Sequence, residues 1–422
     1  MTPRNDINVV TANKLCFGCG TCRVVCGVDA ITMRFNAIGQ LLPEINPDRC
    51  VHCGRCYDIC PGIHDARDPQ DESERFVGNV AGVYVGRATD DAIFSHAQSG
   101  GLATAGLTYL FRKEMIDAAV VCRIEYGEDY TSCAVVVTSA AELAACQGSS
   151  YAPVDMVSAL KATTTCRSVA VVGTGCHIQG VTMLMRALPK RYGNITYRIG
   201  LICDRVLCRT ATEVLYGDHF VGKAKKLIWR DKSLSYQNAR LLVENSNGER
   251  AEVPSWRRHE LKKHFTSPRC LLCYDKLNNL ADITLGDPWG MKAIDRKHGN
   301  SLIITRTEAG AQLIAEMAQA GDIAIVEASL SEAVAGQAID AKRARVNQAV
   351  ASYRVHGWLL PDYCAEPAAG SVTSSLAQID AFIADAALPK EKIIKKYTRR
   401  LNRTERKNAL RRRLKQWLHG KF

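Results

Sequence analysis

The feature that most constrains this chain is a cysteine pattern written twice. Cys16, Cys19, Cys22 and Cys26 follow the spacing C-x2-C-x2-C-x3-C, and Cys50, Cys53, Cys56 and Cys60 repeat it 34 residues later, with Pro61 after the last. Eight thiols within residues 16–60 cannot be read as ordinary core residues. A structural zinc site takes two CxxC pairs held apart by a spacer, whereas each set here packs four cysteines into eleven residues. Three thiolates wound around one corner suit a [4Fe–4S] cluster, and in such runs the fourth cysteine ligates the other cluster. The spacing therefore predicts one cluster on Cys16, Cys19, Cys22 and Cys60, and a second on Cys50, Cys53, Cys56 and Cys26. A zinc ribbon and a disulfide knot are the competing readings. No apolar export signal lies in Met1–Lys14, so reduced thiols and a cytoplasmic location are expected.

Between the two sets, residues 30–35 alternate like a short strand and Gly39 marks a turn. Gly20 and Gly54 sit between ligands, where backbone N–H groups can approach sulfur. Residues 8–68 resemble a bacterial two-cluster ferredoxin, with one departure: Gly27 stands where proline usually follows the fourth cysteine. The resemblance implies a wire for single electrons.

Residues 71–80 are polar and read as a linker. Beyond them, Gly82–Gly86, Ala118–Val121, Ala134–Val137 and Val169–Gly173 read as strands. Helical stretches begin after Gly101, at Ser139 with Glu142 in the reciprocal capping position, and near His177. This alternation predicts a mostly parallel α/β core. Asn247-Gly248 predicts a hairpin within Leu241–Val253. Strands at Ser301–Arg306 and Ile323–Val326 flank a helix at Glu308–Ala320, and helices are expected at Lys342–His356 and Ser374–Ala387.

Three small-residue turns could receive a nucleotide cofactor: Ser99-Gly100-Gly101, Gln147-Gly148-Ser149-Ser150-Tyr151 and Gly173-Thr174-Gly175. Glycine lets backbone approach a phosphate, and a helix N-terminus offers it unpaired N–H groups. A second cysteine group comprises Cys176, Cys203, Cys270 and Cys273, with Cys208 as a competing ligand. Alone it could be a zinc site, a third [4Fe–4S] cluster or a redox dithiol. Cys122, Cys133, Cys146, Cys166 and Cys364 lie in apolar contexts where free cysteines usually pack.

The ordered motifs Ser99-Gly100-Gly101-x2-Thr104, Gln147-Gly148-Ser149-x-Tyr151, Gly173-Thr174-x-Cys176, Cys203, Cys270-x2-Cys273 and Ala281–Asp287 resemble the coenzyme F-420 hydrogenase/dehydrogenase β-subunit family of FAD-containing iron–sulfur oxidoreductases. The resemblance implies that Ser99, Gly100, Gly101, Thr104, Gln147, Gly148, Ser149, Tyr151, Thr174 and Gly175 contact FAD. It also implies that Cys176, Cys203, Cys270 and Cys273 hold a further [4Fe–4S] cluster. Gly175 stands where the family often has proline and Ser150 where it often has lysine, so no specific coenzyme is carried over. The expected architecture is α+β and α/β: a ferredoxin-like domain at 1–70, a mixed α/β flavin-binding domain at 80–350 and a helical extension with a basic tail at 351–422. His177, Asp204 and Asp287 are candidate proton donors, and Asp287–Gly290 is expected to support the cluster loop; no catalytic residue is assigned.

The chain has 422 residues, 18 cysteines and a net charge of +12, which invites a nucleic-acid reading. Residues 390–422 hold 14 Lys/Arg and two acids, leaving 41 of each sign in residues 1–389. The charge is thus local. Within it, Ile394, Tyr397, Leu401, Leu410, Leu414, Trp417 and Leu418 recur at helical spacing. A basic amphipathic helix suits an anionic membrane surface or an acidic partner, and the tail is expected to be dispensable for the redox sites. Nucleic-acid binding would leave the clusters unexplained. Two functions stay open: an iron–sulfur flavoprotein acting on an organic substrate or deazaflavin, fed by a redox partner or small-molecule donor, and a non-catalytic electron-transfer subunit.

Overall fold

A computed structural model of the chain describes residues 5–68, 70–71, 73–126, 130–217, 224–364 and 373–419, with backbone only at 373 and 412–419. Its strands are β1 Ile31–Phe35, β2 Leu41–Ile45, β3 Gly82–Ala88, β4 Ala118–Tyr126, β5 Tyr130–Val137, β6 Val169–Thr174, β7 Ile195–Leu201, β8 Ala224–Asp231, β9 Arg240–Asn245, β10 Arg250–Val253, β11 Ile283–Gly286, β12 Ser301–Thr305 and β13 Ile323–Glu327. β1 and β2 pair alone, β10-β9-β8 form a second sheet, and the order of the large sheet is β13-β3-β12-β11-β7-β6-β4-β5.

The large sheet is mixed rather than mostly parallel. β4, β6, β7 and β11 are parallel neighbours, but the pairings of β5, β12 and β13 are antiparallel. The apolar runs of β6 and β12 look alike in sequence because both are covered on two faces, and burial does not encode direction. Two antiparallel steps separate β3 from β11, so β3, β11, β7, β6 and β4 all end on one edge. In open α/β sheets that carboxyl edge is where ligands bind.

Helix Leu102–Arg112 buries Leu102, Ala105, Leu107, Tyr109 and Leu110 on the sheet. Helix Gly175–Ala187 starts earlier than expected, at Gly175. The Ser139 helix is a 3-10 segment, Ala140–Cys146; Ser139 Oγ donates to Glu142 instead of capping it. The Asn247-Gly248 hairpin forms between β9 and β10. The C-terminal helices are Ile339–Val355, Thr373–Ala386 and Lys390–His419.

Two expectations need correction. The polar stretch 71–80 is pinned to the sheet: the buried Arg306 donates to the carbonyls of Val77 (2.9 Å) and Asn79 (2.8 Å), and Phe76 packs beside Tyr274. The first turns of the basic helix belong to the core. Ile393, Tyr397 and Leu401 are 0–1% exposed among Leu261, Phe265 and Trp229. Ile394 also packs there, Leu410 is exposed, and the side chains of Leu414, Trp417 and Leu418 lie outside the described residues. Of the positions chosen for a membrane or a partner, Ile394, Tyr397 and Leu401 are filled instead by the chain itself. Among the described residues no helix is long and apolar enough to cross a membrane.

The cysteine-rich N-terminal segment shares its core with the rest of the chain. Val24, Val25 and Ile59 pack with Val171, Ile178 and Val181, and Cys16, Cys22 and Cys60 with Leu271, Val346 and Tyr353. At Gly180 the approach is so close that a Cβ would stand 2.1 Å from Thr21 Oγ1, so a larger residue there would push the first cysteine loop off helix Gly175–Ala187.

Candidate functional site

Each N-terminal run winds through a glycine in the left-handed region. Gly20 (φ 88°) opens helix Thr21–Val25 and Gly54 (φ 77°) opens helix Arg55–Asp58, a conformation that L side chains adopt at a cost. Cys16, Cys19, Cys22 and Cys60 are buried together. Cys22 lies within electrostatic reach of Cys16, Cys19 and Cys60, so the fourth cysteine of the second run joins the first three of the first. The Gly18 and Gly62 N–H groups donate to the sulfurs of Cys16 (3.3 Å) and Cys60 (3.4 Å). Burial pushes the Cys16 thiol up to about 12. Cys26, Cys50, Cys53 and Cys56 line a separate cavity of about 200 Å³ with Cys53 exposed, and the Ala30 N–H donates to Cys26 sulfur (3.2 Å).

Among the described residues no three His, Cys, Asp or Glu side chains converge on a single metal ion. A cubane takes one thiolate per iron, so its ligands surround a volume rather than a point. All 18 cysteines are free of disulfides. Four-thiol groups with backbone N–H donors to sulfur therefore fit [4Fe–4S] clusters better than zinc.

The dispersed cysteines meet at the carboxyl edge. Cys176 is the second residue of helix Gly175–Ala187, after β6; Cys203 follows β7; Cys270 lies in helix Pro268–Leu272 and Cys273 ends it. Cys176 is within electrostatic reach of Cys203 and Cys273, and Cys203 of Cys270 and Cys273. Asn278 ties two of the strand ends, donating to the carbonyls of Gly173 (2.8 Å) and Leu201 (3.3 Å). Cys208 reaches Cys270 alone among cysteines and packs with Leu207 and Ala211. Cys364 is also core. Cys122 neighbours Cys133 and Cys146 on the β4–β5 side. The groups stand in series: Cys56 reaches Cys22, and Cys19 reaches Cys176.

His177 is not placed to donate protons. Its Nε2 meets the Val154 carbonyl at 3.1 Å, its Nδ1 accepts from Thr174 N–H at 3.3 Å, and burial lowers its pKa to about 4. It caps its helix as a neutral ring. Asp204 is held low by Lys342, Arg205 and Arg345 despite the opposing effect of burial. Asp287 accepts from Arg230 Nη1 and Tyr236 OH, both at 2.6 Å, and Trp289 stacks on Tyr236. The Asp287–Gly290 turn thus braces the wall from β8.

The turn at Ser99–Gly101 is tied to the end of β3: Gly100 O accepts from Ala88 N–H (2.7 Å), and Gly100 N–H donates to Ser301 Oγ (2.9 Å), which also meets Ser99 Oγ (3.0 Å). Gly101 opens helix Leu102–Arg112, which carries the half-buried Thr104 and whose N-terminus no side chain caps. Gln147 Nε2 donates to Ile93 O (3.3 Å), and Gly148 faces Gln98, so this second turn meets the first across helix Asp91–His96. Ser149 is half-exposed beside it. Tyr151 lies 4.8 Å from Trp229 and 5.1 Å from the Arg258 guanidinium. Thr174 and Gly175 stand with the dispersed cysteines, Thr174 Oγ1 at 3.3 Å from Cys176 Sγ and Gly175 against Asp275. Sequence reading missed Lys232, whose Nζ donates to Ser99 O (2.7 Å), lies 3.7 Å from the Phe94 ring and is lowered to about 8 by burial, then by Arg87. In sequence it is one charge after a strand, with no spacing to mark it. An uncapped helix start, glycine backbone, a lysine and an aromatic wall fit a diphosphate-bearing cofactor.

The families described as coenzyme F420 hydrogenase/dehydrogenase beta subunit N-term and C terminus match residues 83–161 and 166–330, and the 4Fe-4S dicluster domain matches 15–62. The chain is 26% identical over 325 residues to the coenzyme F420-dependent sulfite reductase of Methanocaldococcus jannaschii, covering 73% of this chain but only 46% of that protein. It is 27% identical over 243 residues to the coenzyme F420 hydrogenase subunit beta of Methanosarcina barkeri, covering 54% of this chain and 79% of the relative. A chain of the F420-reducing [NiFe] hydrogenase complex from Methanosarcina barkeri superposes with a TM-score of 0.56 at 22% identity, covering 70% of this chain and 99% of that one, a likeness of fold.

Proposed function

The chain belongs to the coenzyme F420 hydrogenase/dehydrogenase beta-subunit family and carries a 4Fe-4S dicluster domain, and on that premise we propose that it is an iron–sulfur flavoprotein oxidoreductase joining a one-electron wire to a two-electron site. Cys16, Cys19, Cys22 and Cys60 would hold one [4Fe–4S] cluster, Cys26, Cys50, Cys53 and Cys56 a second, and Cys176, Cys203, Cys270 and Cys273 a third. The observation that carries the reading is the series of neighbouring thiols, Cys56 to Cys22 and Cys19 to Cys176, running from the exposed Cys53 to the carboxyl edge. The Ser99–Gly101 turn with Thr104, and Gln147–Ser149 with Tyr151, would hold FAD, and Lys232 would supply the positive charge at its phosphates. When bound there, a flavin exchanges single electrons for an electron pair or hydride. The substrate is an organic molecule or a deazaflavin coenzyme. A second reading, an electron-transfer subunit serving a partner enzyme, is favoured by the hydrogenase subunit among its relatives. The chain would divide into a ferredoxin-type unit at 1–70, a flavin-binding unit at 80–350 and an extension at 351–422.

Anaerobic purification with iron, sulfide and flavin quantification tests this. About twelve Fe and one FAD per chain are expected, and Cys270→Ser should lose about four Fe. Colourless protein with stoichiometric zinc would overturn the reading. A Cys270→Ser variant that keeps all its iron would remove the third cluster from it.

A further inference from the structure

Two cations are buried beside the dispersed cysteines. Arg269 is 0% exposed and immediately precedes Cys270. Its guanidinium lies 4.0 Å from the centroid of Phe17, the residue after Cys16. Its Nε donates to Gly62 O (3.1 Å) and Nη2 to Pro61 O (3.2 Å), both directly after Cys60, while Nη1 donates to Tyr363 OH (2.7 Å). The backbone of Arg269 thus belongs to one cysteine group and most of its side-chain contacts to another. Its charge reaches Cys16 and Cys60 on one side and Cys273 on the other.

Lys342, on helix Ile339–Val355, is 2% exposed. Its Nζ donates to the carbonyls of Asp204 (3.1 Å) and Cys270 (3.4 Å), within electrostatic reach of Cys203 and Cys273. Its nearest carboxylate, Asp204, stands 3.9 Å away and is shared with Arg205 and Arg345. Among the described residues Arg269 has no carboxylate within ion-pair distance, only carbonyls and a phenol. A buried charge in that position calls for a counter-charge. Four thiolates around a [4Fe–4S] cluster are net negative, and more so after reduction.

We propose that Arg269 is the shared counter-cation of the Cys16/Cys19/Cys22/Cys60 and Cys176/Cys203/Cys270/Cys273 clusters, fixing their separation and raising both reduction potentials, and that Lys342 does the same for the second of them alone. Both act as positioning residues. A fixed cation favours the more negative, reduced cluster, and net charge is one of the levers on cluster potential. The inference rests on the ligand assignment above.

The test is an EPR-monitored potentiometric titration of the full chain, with iron counted in each variant. Arg269→Met should lower the reduced-to-oxidised ratio of both buried clusters about tenfold at a fixed solution potential, equivalent to about 59 mV for a one-electron couple. The Cys26/Cys50/Cys53/Cys56 cluster should stay within about twofold and serves as the internal reference. Lys342→Met should shift the dispersed cluster alone. Arg269→Lys keeps the charge and should hold both ratios within about threefold. An iron-replete Arg269→Met that titrates like the parent overturns the proposal, as does an Arg269→Lys shift equal to that of Arg269→Met, which would mean packing alone. Should Arg269→Met lose iron, an iron-replete Lys342→Met with an unchanged titration is decisive against it. Failure of the underlying assignment is a different result: the unmodified chain would itself lack about twelve Fe.

Discussion

Eight of the cysteines that gather into groups come from one stretch, residues 16–60, while the other four are delivered by three separate segments between residues 176 and 273. The first two groups are shaped locally, by short helices opened at Gly20 and Gly54 and by the β1–β2 ribbon. The third exists only because β6, β7 and the loop before β11 end on one edge, with Asn278 bonded across them. A site made by local winding should survive disturbances of the large sheet that a site assembled by tertiary structure does not. The two kinds of site also touch, through Arg269 and the Gly180–Thr21 contact, so their independence has limits.

The strongest way to separate them is to cut the chain. Removing residues 390–422 exposes the pocket of Ile393, Tyr397 and Leu401, each worth about 1.5–3 kcal/mol of burial. It also bares Phe265, whose ring lies 4.9 Å from Tyr397 and which ends the helix leading to Cys270. The expected outcome is a lower midpoint in scanning calorimetry and a fall from about twelve to about eight Fe, the N-terminal clusters staying in place. Removal of residues 403–422 alone should leave both readouts near those of the parent.

A smaller effect is expected from Arg306→Met, which unties residues 77 and 79, removes one of the two donors to Leu277 O (2.8 Å) and takes the guanidinium donor from Thr284 Oγ1 (2.9 Å). About 3 kcal/mol should be lost. Limited proteolysis should then cut within residues 71–80; a released N-terminal fragment that keeps about eight Fe would confirm local construction, and one that loses its iron would break the contrast.

The smallest effect concerns pH and the carboxyl edge only. Burial lowers Lys232 from 10.5 to about 8. The amine is therefore cationic below about 8 and neutral above it, and an anionic cofactor loses its counter-charge as pH rises through that value. Flavin affinity, measured by fluorescence titration, should weaken about tenfold from pH 7 to pH 9. Lys232→Met should bind weakly at both, and N-terminal iron should not respond.

Sequence legibility follows the same division. Ligand spacing is itself local, so the crossed pairing of Cys60 with the first run could be proposed from sequence, and Cys60 is buried near Cys16 and Cys22. The four dispersed cysteines could be chosen as a group, but Cys208 could be set aside only when its side chain was seen among Leu207 and Ala211. The reversal of β12 and β13 was hidden, since Leu302, Ile303 and Ile304 are buried in either direction. Residues 71–80 looked free because their anchor, Arg306, lies more than two hundred positions away. At the start of the tail the reason is related: Ile394, Tyr397 and Leu401 recur at a spacing that states which face is apolar, not what covers it.

The crossed thiols carry a last consequence. Each run gives three sulfurs to one group and its final sulfur, Cys26 or Cys60, to the other. A single run, standing alone, has three quarters of one nest and one quarter of another. Two copies facing each other across a twofold axis complete both. The 34-residue repeat therefore has the form of a homodimer written into one chain, its halves clasped like linked hands, and neither hand can close without the other.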